Sequence, residues 1–242
     1  MALEDDLLEA FECHRPDGIR KALKAGVSPT ALIHGKTPMM SLIEMYTRSA
    51  AFADCMRVLL DAGATVGDPL LEAMLLDDDA ALRRCTLDRR FDLECTYTSL
   101  RGVSALHVCA EYNSVRCARA LLELGADVNS RADIDAEGLG GHTPLFHTVN
   151  SNRNYCRPMM ELLVEAGADL SVRVDGLVWG GGFEWETVVY DVTPISYAQC
   201  GLYGQFHRTE KDTYSNLSYL WAKKHGTELR IRNVPNQYRR PK

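Results

Sequence analysis

Cys200 and His207, with Glu210 and Asp212 just beyond them, are the side chains whose types come nearest to a reactive set. A thiol nucleophile needs a base placed beside it, and a metal needs ligands on short, recognisable spacings. Six residues separate Cys200 from His207, which specifies neither. A hydrolase-like or transferase-like enzyme organised around Cys200 and His207 therefore stands only as the alternative. Gly180-Gly181-Gly182 is the second place to look, because glycine loops cradle phosphates when a helix follows. No helical pattern follows it, and the phosphate-loop, nucleophile-elbow and zinc-protease motifs do not occur. The expectation is no catalytic residue, no metal and no cofactor. Asp77-Asp78-Asp79 reads as a solvated turn and helix cap.

Composition excludes several further classes. The chain has 242 residues, of which 46% are hydrophobic and 25% charged, near the average for folded domains. Eight cysteines without any CxxC, mostly in apolar segments, read as reduced, buried thiols in a cytoplasmic setting, with Cys109 and Cys117 as core residues. No apolar run reaches the ~18 residues of a membrane span, and the acidic start MALEDDLLEAFE is unlike a secretory or mitochondrial leader. Residues 223–242 carry seven Lys or Arg against one Glu, so an overall charge of −6 leaves −12 on the first 222. A body of that sign is a poor match for nucleic acid.

The elements that must position any site come from an internal repeat. Residues 102–133 (GVSALHVCAEYNSVRCARALLELGADVNSRAD) and 141–174 (GHTPLFHTVNSNRNYCRPMMELLVEAGADLSVRV) share one layout: turn, helix, tight turn, helix, glycine stop, extended stretch. Thr143 can cap a helix that Pro144 starts, and Gly125 and Gly167 stand where a second helix must end with positive φ. These segments resemble the ankyrin repeat, whose pattern is close to G-x-T-P-L-H-x-A-A followed by L-L-x-x-G-A-D-V-N. Weaker openings at Thr37-Pro38, Asp68-Pro69 and Thr193-Pro194 extend the likeness, while Leu3 to Phe11 and Gly18 to Ala25 look like an amino-terminal capping pair. The third unit's second helix is expected over Ala80 to Leu87. A fainter likeness to bacterial ankyrin proteins covers only the aromatic segment and the TPISYA-like opening after it. The resemblance implies an all-α solenoid of about six helix-turn-helix units with β-hairpin connections over residues 1–226, and a basic tail over 227–242. It also implies that His107, in the TPLH position, bonds backbone of neighbouring turns; Met40, Phe146 and Ser196 stand at the matching places and His147 is shifted by one.

Departures from a period of about 33 residues mark the loops that bind. The polar connection 130–140 reads as a mobile loop. The larger excess, about 172–191, holds two β-branched and aromatic stretches, Val172 to Trp179 and Phe183 to Tyr190, around the three glycines, the pattern of a long hairpin. Alternation would put Phe183, Trp185, Thr187 and Val189 on one face. Its aromatics could either grip a partner or cap the last repeat. The resemblance implies non-catalytic binding of another protein, as scaffold or adaptor, by a monomer. The family's contact positions fall on Glu44, Met45, Arg101, Val103, Glu111, Tyr112, His142, Asn150, Ser151, Tyr190 and Val192. Trp179, Phe183 and Trp185 join them on chemical grounds.

Overall fold

The computed structural model describes residues 2–93, 98–181 and 183–229. They divide into two compact units, Met1–Thr86 and Leu87–Lys242. The basic segment 230–242, with Arg230, Arg232, Arg239, Arg240 and Lys242, lies outside the described residues, as do Cys95 and Gly182.

The first unit is six helices: α1 (Ala2–Glu12), α2 (Pro16–Lys24), α3 (Pro38–Glu44), α4 (Phe52–Asp61), α5 (Pro69–Leu75) and α6 (Asp79–Leu82). Its core is the set of fully buried side chains Leu7, Phe11, Ile19, Met39, Leu42, Ile43, Met56 and Leu59, which recur at helical spacing. Thr37 Oγ1 accepts the amide of Met40, with Pro38 at the first helical position of α3. Asp68 caps α5, and Asp78 caps α6, as the acidic run 77–79 predicts. α6 is four residues long, shorter than the expected 80–87, because the chain turns away at Arg83 instead of continuing.

The second unit begins with a hairpin that periodicity did not reveal. Strand β1 (Phe91–Leu93) pairs antiparallel with β2 (Leu100–Val103), Phe91 opposite Val103 and Leu93 opposite Leu100. Helices α7 (Ala105–Tyr112), α8 (Val115–Glu123), α9 (Phe146–Val149) and α10 (Arg157–Glu165) follow, then hairpin β3 (Val174–Trp179) and β4 (Thr187–Val192), then α11 (Pro194–Gln199) and α12 (Glu210–His225). Gly176 faces Tyr190 and Trp179 faces Thr187 across the longer hairpin. α9 is short because its first turn is tightened: the amides of Phe146, His147 and Thr148 each reach back three residues, so Thr143 and Pro144 form a turn ahead of the helix instead of its cap and first residue.

One device ends the second helix of four helix pairs, α2, α4, α8 and α10. Gly26, Gly63, Gly125 and Gly167 have φ between 89° and 103°, the left-handed region that glycine alone enters without strain. The glycine amide bonds three residues back and the next amide five back, as in Gly125 to Leu122 and Ala126 to Leu121. Four orphan helix ends are thereby satisfied by one short sequence pattern.

Candidate functional site

The connection 131–141 is ordered. Asp135 Oδ1 accepts the amides of Glu137 (3.1 Å) and Leu139 (2.8 Å), and Ile134 bridges Gly140. The Gly140 amide then donates to the Gly176 carbonyl on β3 at 2.8 Å. What composition suggested as a mobile loop is a small turn seated against the long hairpin, because one aspartate organises its polar backbone.

The hairpin tip also departs from expectation. β4 starts at Thr187, so Phe183 to Glu186 form a turn and not a strand, with the Phe183 amide on Gly180 O and the Glu186 amide on Phe183 O. The expected alternation of Phe183 and Trp185 with Thr187 fails for that reason. Instead the rings run in series. Phe183 stacks on Trp185 (4.8 Å, 20°), Trp185 leans on Trp179 (5.0 Å, 54°), and Trp179 stacks on Phe206 (4.2 Å, 19°). Exposure follows that order, with Phe183 at 40%, Trp185 at 38% and Trp179 at 1%. Trp179 is thus an anchor in the core and offers no surface, a correction to its place among the contact residues.

The remaining expected contact residues divide by burial. Tyr190 is 64% exposed, and Arg101 also faces solvent. Glu44, Met45 and Ser151 are partly exposed. Val103, Glu111, Tyr112 and His142 are buried, as is Val192, and so have no face to present; Asn150 is nearly so, with its amide nitrogen on Tyr197 O. At the end of α7 the reason is local: the following unit covers 111 and 112, with His147 Nδ1 on Glu111 Oε2, the Cys156 thiol on Glu111 O and the Tyr155 hydroxyl on Tyr112 O. Sequence reasoning missed Leu202 and Tyr203, which stand exposed in the 3-10 segment after α11. No spacing signals them, since that segment follows no repeat pattern.

His107 behaves as its position predicts, taking Ser104 at Nδ1 and reaching His142 O from Nε2 at 3.1 Å. Ser196 does part of that work in α11, completing a reciprocal cap with Thr193. Cys200 is buried and its thiol donates to Ser196 O at 3.4 Å, while His207 is exposed in a left-handed turn. Cys109 and Cys117 are fully buried, and burial pushes the Cys55 thiol up to about 12. Among the described residues no group of three or more His, Cys, Asp or Glu is placed to hold a metal ion.

Helix pairs closed by glycine and joined by small hairpins define a class, the repeat proteins whose units stack on their neighbours. The chain belongs to the ankyrin repeat family: a family model described as ankyrin repeats in three copies matches residues 10–174. Among solved structures it is similar to the ankyrin repeat domain of Bcl-3, a member of the IkappaB protein family, at 23% identity over 90% of this chain and 68% of that one, with a TM-score of 0.35. It is similar to the human ASB11 ankyrin repeat domain at 24% identity over 69% and 71% of the two chains, with a TM-score of 0.32. The ankyrin repeat protein EF0377 shares 20% identity over 90% and 96%, with a TM-score of 0.40. No curated protein matches the sequence. Ankyrin repeat domains in general mediate protein-protein interaction. No helix among the described residues is long and apolar enough to cross a membrane.

Proposed function

We propose that the protein is a non-catalytic scaffold or adaptor that binds another protein, acting in the cytoplasm as a monomer, with six repeat units over 1–226 and a basic tail over 227–242. The observation that carries this reading is the Phe183–Trp185 pair at the hairpin tip, two stacked rings each more than a third exposed on a buried tryptophan base. Large rigid rings held in place lose little entropy on binding and are the residue types that anchor interfaces. Tyr190 and Arg101 extend the surface, and Glu44, Met45 and Ser151 are the contact positions elsewhere that keep exposed area.

The test is capture from native lysate by the full chain and by the Phe183→Ala/Trp185→Ala double variant, with thermal unfolding of both. The expected result is loss of the captured protein with an unfolding midpoint within a few degrees, about the effect of removing half-exposed rings. A collapse of stability would instead make the rings a cap on the last repeat, and unchanged capture would remove them from the interface.

A further inference from the structure

The hairpin β3–β4 is covered along one edge and open along the other. On the β3 side the Gly140 amide donates to the Gly176 carbonyl at 2.8 Å, so that carbonyl points away from β4. Gly176 stands opposite Tyr190, and residues whose backbone groups turn away from each other form a non-hydrogen-bonded pair. By alternation Val178 and Val188 form another, while Leu177 and Val189 between them exchange bonds that hold the hairpin. The N–H and C=O groups of Val188 and Tyr190 therefore face outward from β4, and no backbone bond to them is made by any described residue. The Tyr190 ring leaves this edge clear, because it lies over Gly176, where a Cβ would stand 3.4 Å from its Cδ1. Proteins blunt such edges with lysine, proline or a bulge. Residues 187–190 have no Lys and no Pro, and the one left-handed residue of β4, Asp191 at φ +56°, comes after them.

We propose that the outer edge of β4 is a strand-addition site, which takes an extended, arginine-bearing segment of another protein as a third strand of the hairpin. This rests on the protein-binding reading above and names the partner's chemistry. Charge decides that chemistry. From 174 to 190 the chain has Asp175, Glu184 and Glu186, all exposed, and no Lys, Arg or His. At the tip the Trp185 ring covers Gly180, and Glu186 Oε2 lies 3.9 Å from where a Cβ on Gly181 would stand, so an indole and a carboxylate are neighbours. A guanidinium stacks on the first and forks to the second, which an ammonium does less well. Backbone bonds to Val188 and Tyr190 give the added strand its register, and the tip selects its side chains. A second copy of this chain would bring three more acids from the same segment and no base, so the occupant is a foreign cationic segment.

The test titrates the full chain with a blocked hexapeptide, Arg-Val-Thr-Arg-Val-Thr, and reads tryptophan fluorescence and amide exchange. On binding, the Val188 and Tyr190 amides should slow about tenfold, while Val189, already bonded to β3, is unchanged. Val188→Pro removes an outward amide and no bond to β3, and should weaken binding about tenfold. Glu184→Lys/Glu186→Lys should weaken it by about the same factor, and a peptide with Glu in place of Arg should not bind. If the proline variant does not fold, the wild-type chain decides with the peptide N-methylated at alternate residues. Strand addition loses binding for one of the two alternating sets; loss for both or for neither overturns it. No binding by the wild-type chain also overturns it. That holds where binding appears only after Arg230→Ser, Arg232→Ser, Arg239→Ser, Arg240→Ser and Lys242→Ser together, since the chain's own basic segment then holds the edge. Self-association abolished by Val188→Pro overturns it in favour of a second copy. Capture from lysate that needs Phe183 and Trp185, with peptide binding indifferent to Val188→Pro, overturns the strand addition and leaves the protein-binding reading standing.

Discussion

Trp179 and Gly180 are neighbours with opposite requirements. Trp179 fills the space against Phe206 and Trp185, and Gly180 must leave space, because a Cβ there would stand 2.1 Å from the Trp185 ring at a φ of +72°. Together they aim Trp185 outward over a rigid base. Removing the base should be costly: Trp179→Ala is expected to lose about 3–5 kcal/mol, the range for a buried large aromatic cut to alanine. Urea unfolding followed by circular dichroism would read it, and a loss below about 1 kcal/mol would mean that the ring is not the anchor. Residue types at these positions were legible in the sequence, but their burial was not. Two tryptophans and a phenylalanine close together in the chain look alike as letters, and only the turn at 183–186 separates the anchor from the exposed pair.

At the level of elements, helix ends were the most legible feature, because a glycine with its flanking bonds is a local structure that needs no distant partner. Hairpin connections were expected as such, but the place of the β1–β2 hairpin and the form of the 131–141 turn were not legible. β1 is three residues long, too short for alternation to show, and the turn depends on where Asp135 points. Asp135→Ala removes the acceptor for two backbone amides. About 1 kcal/mol of local stability should go with it, so that exchange at 137–141 rises roughly fivefold while α10 is unchanged. Protection that stays at the wild-type level in this variant would show that the bond from Gly140 to Gly176 holds the turn unaided.

For the molecule as a whole, acid is the informative variable. Burial lowers His14 to about 4, with Arg48 adding to the effect, and holds His107 and His142 well below 6.5. The unfolded chain takes up protons on these groups as pH falls through about 6.5, and the folded chain does not. Their stability contribution is therefore complete above that value and shrinks as the pH falls below it, by up to about 1.4 kcal/mol per pH unit for each histidine. All three tryptophans, at 179, 185 and 221, lie in the second unit, so their fluorescence reports that unit, while circular dichroism reports both. Urea midpoints by both signals should drop between pH 7 and pH 5. A flat fluorescence midpoint would contradict the buried, neutral state of His107 and His142.

By itself the sequence determined the repeat and its glycine stops, because each rests on contacts within a few residues of chain. The burial of Trp179, the seating of residue 140 on β3 and the joining of His142, His147 and Glu111 were decided only by tertiary structure. Each of these brings together groups far apart in the chain or turns a side chain inward, and no spacing of letters carries that information.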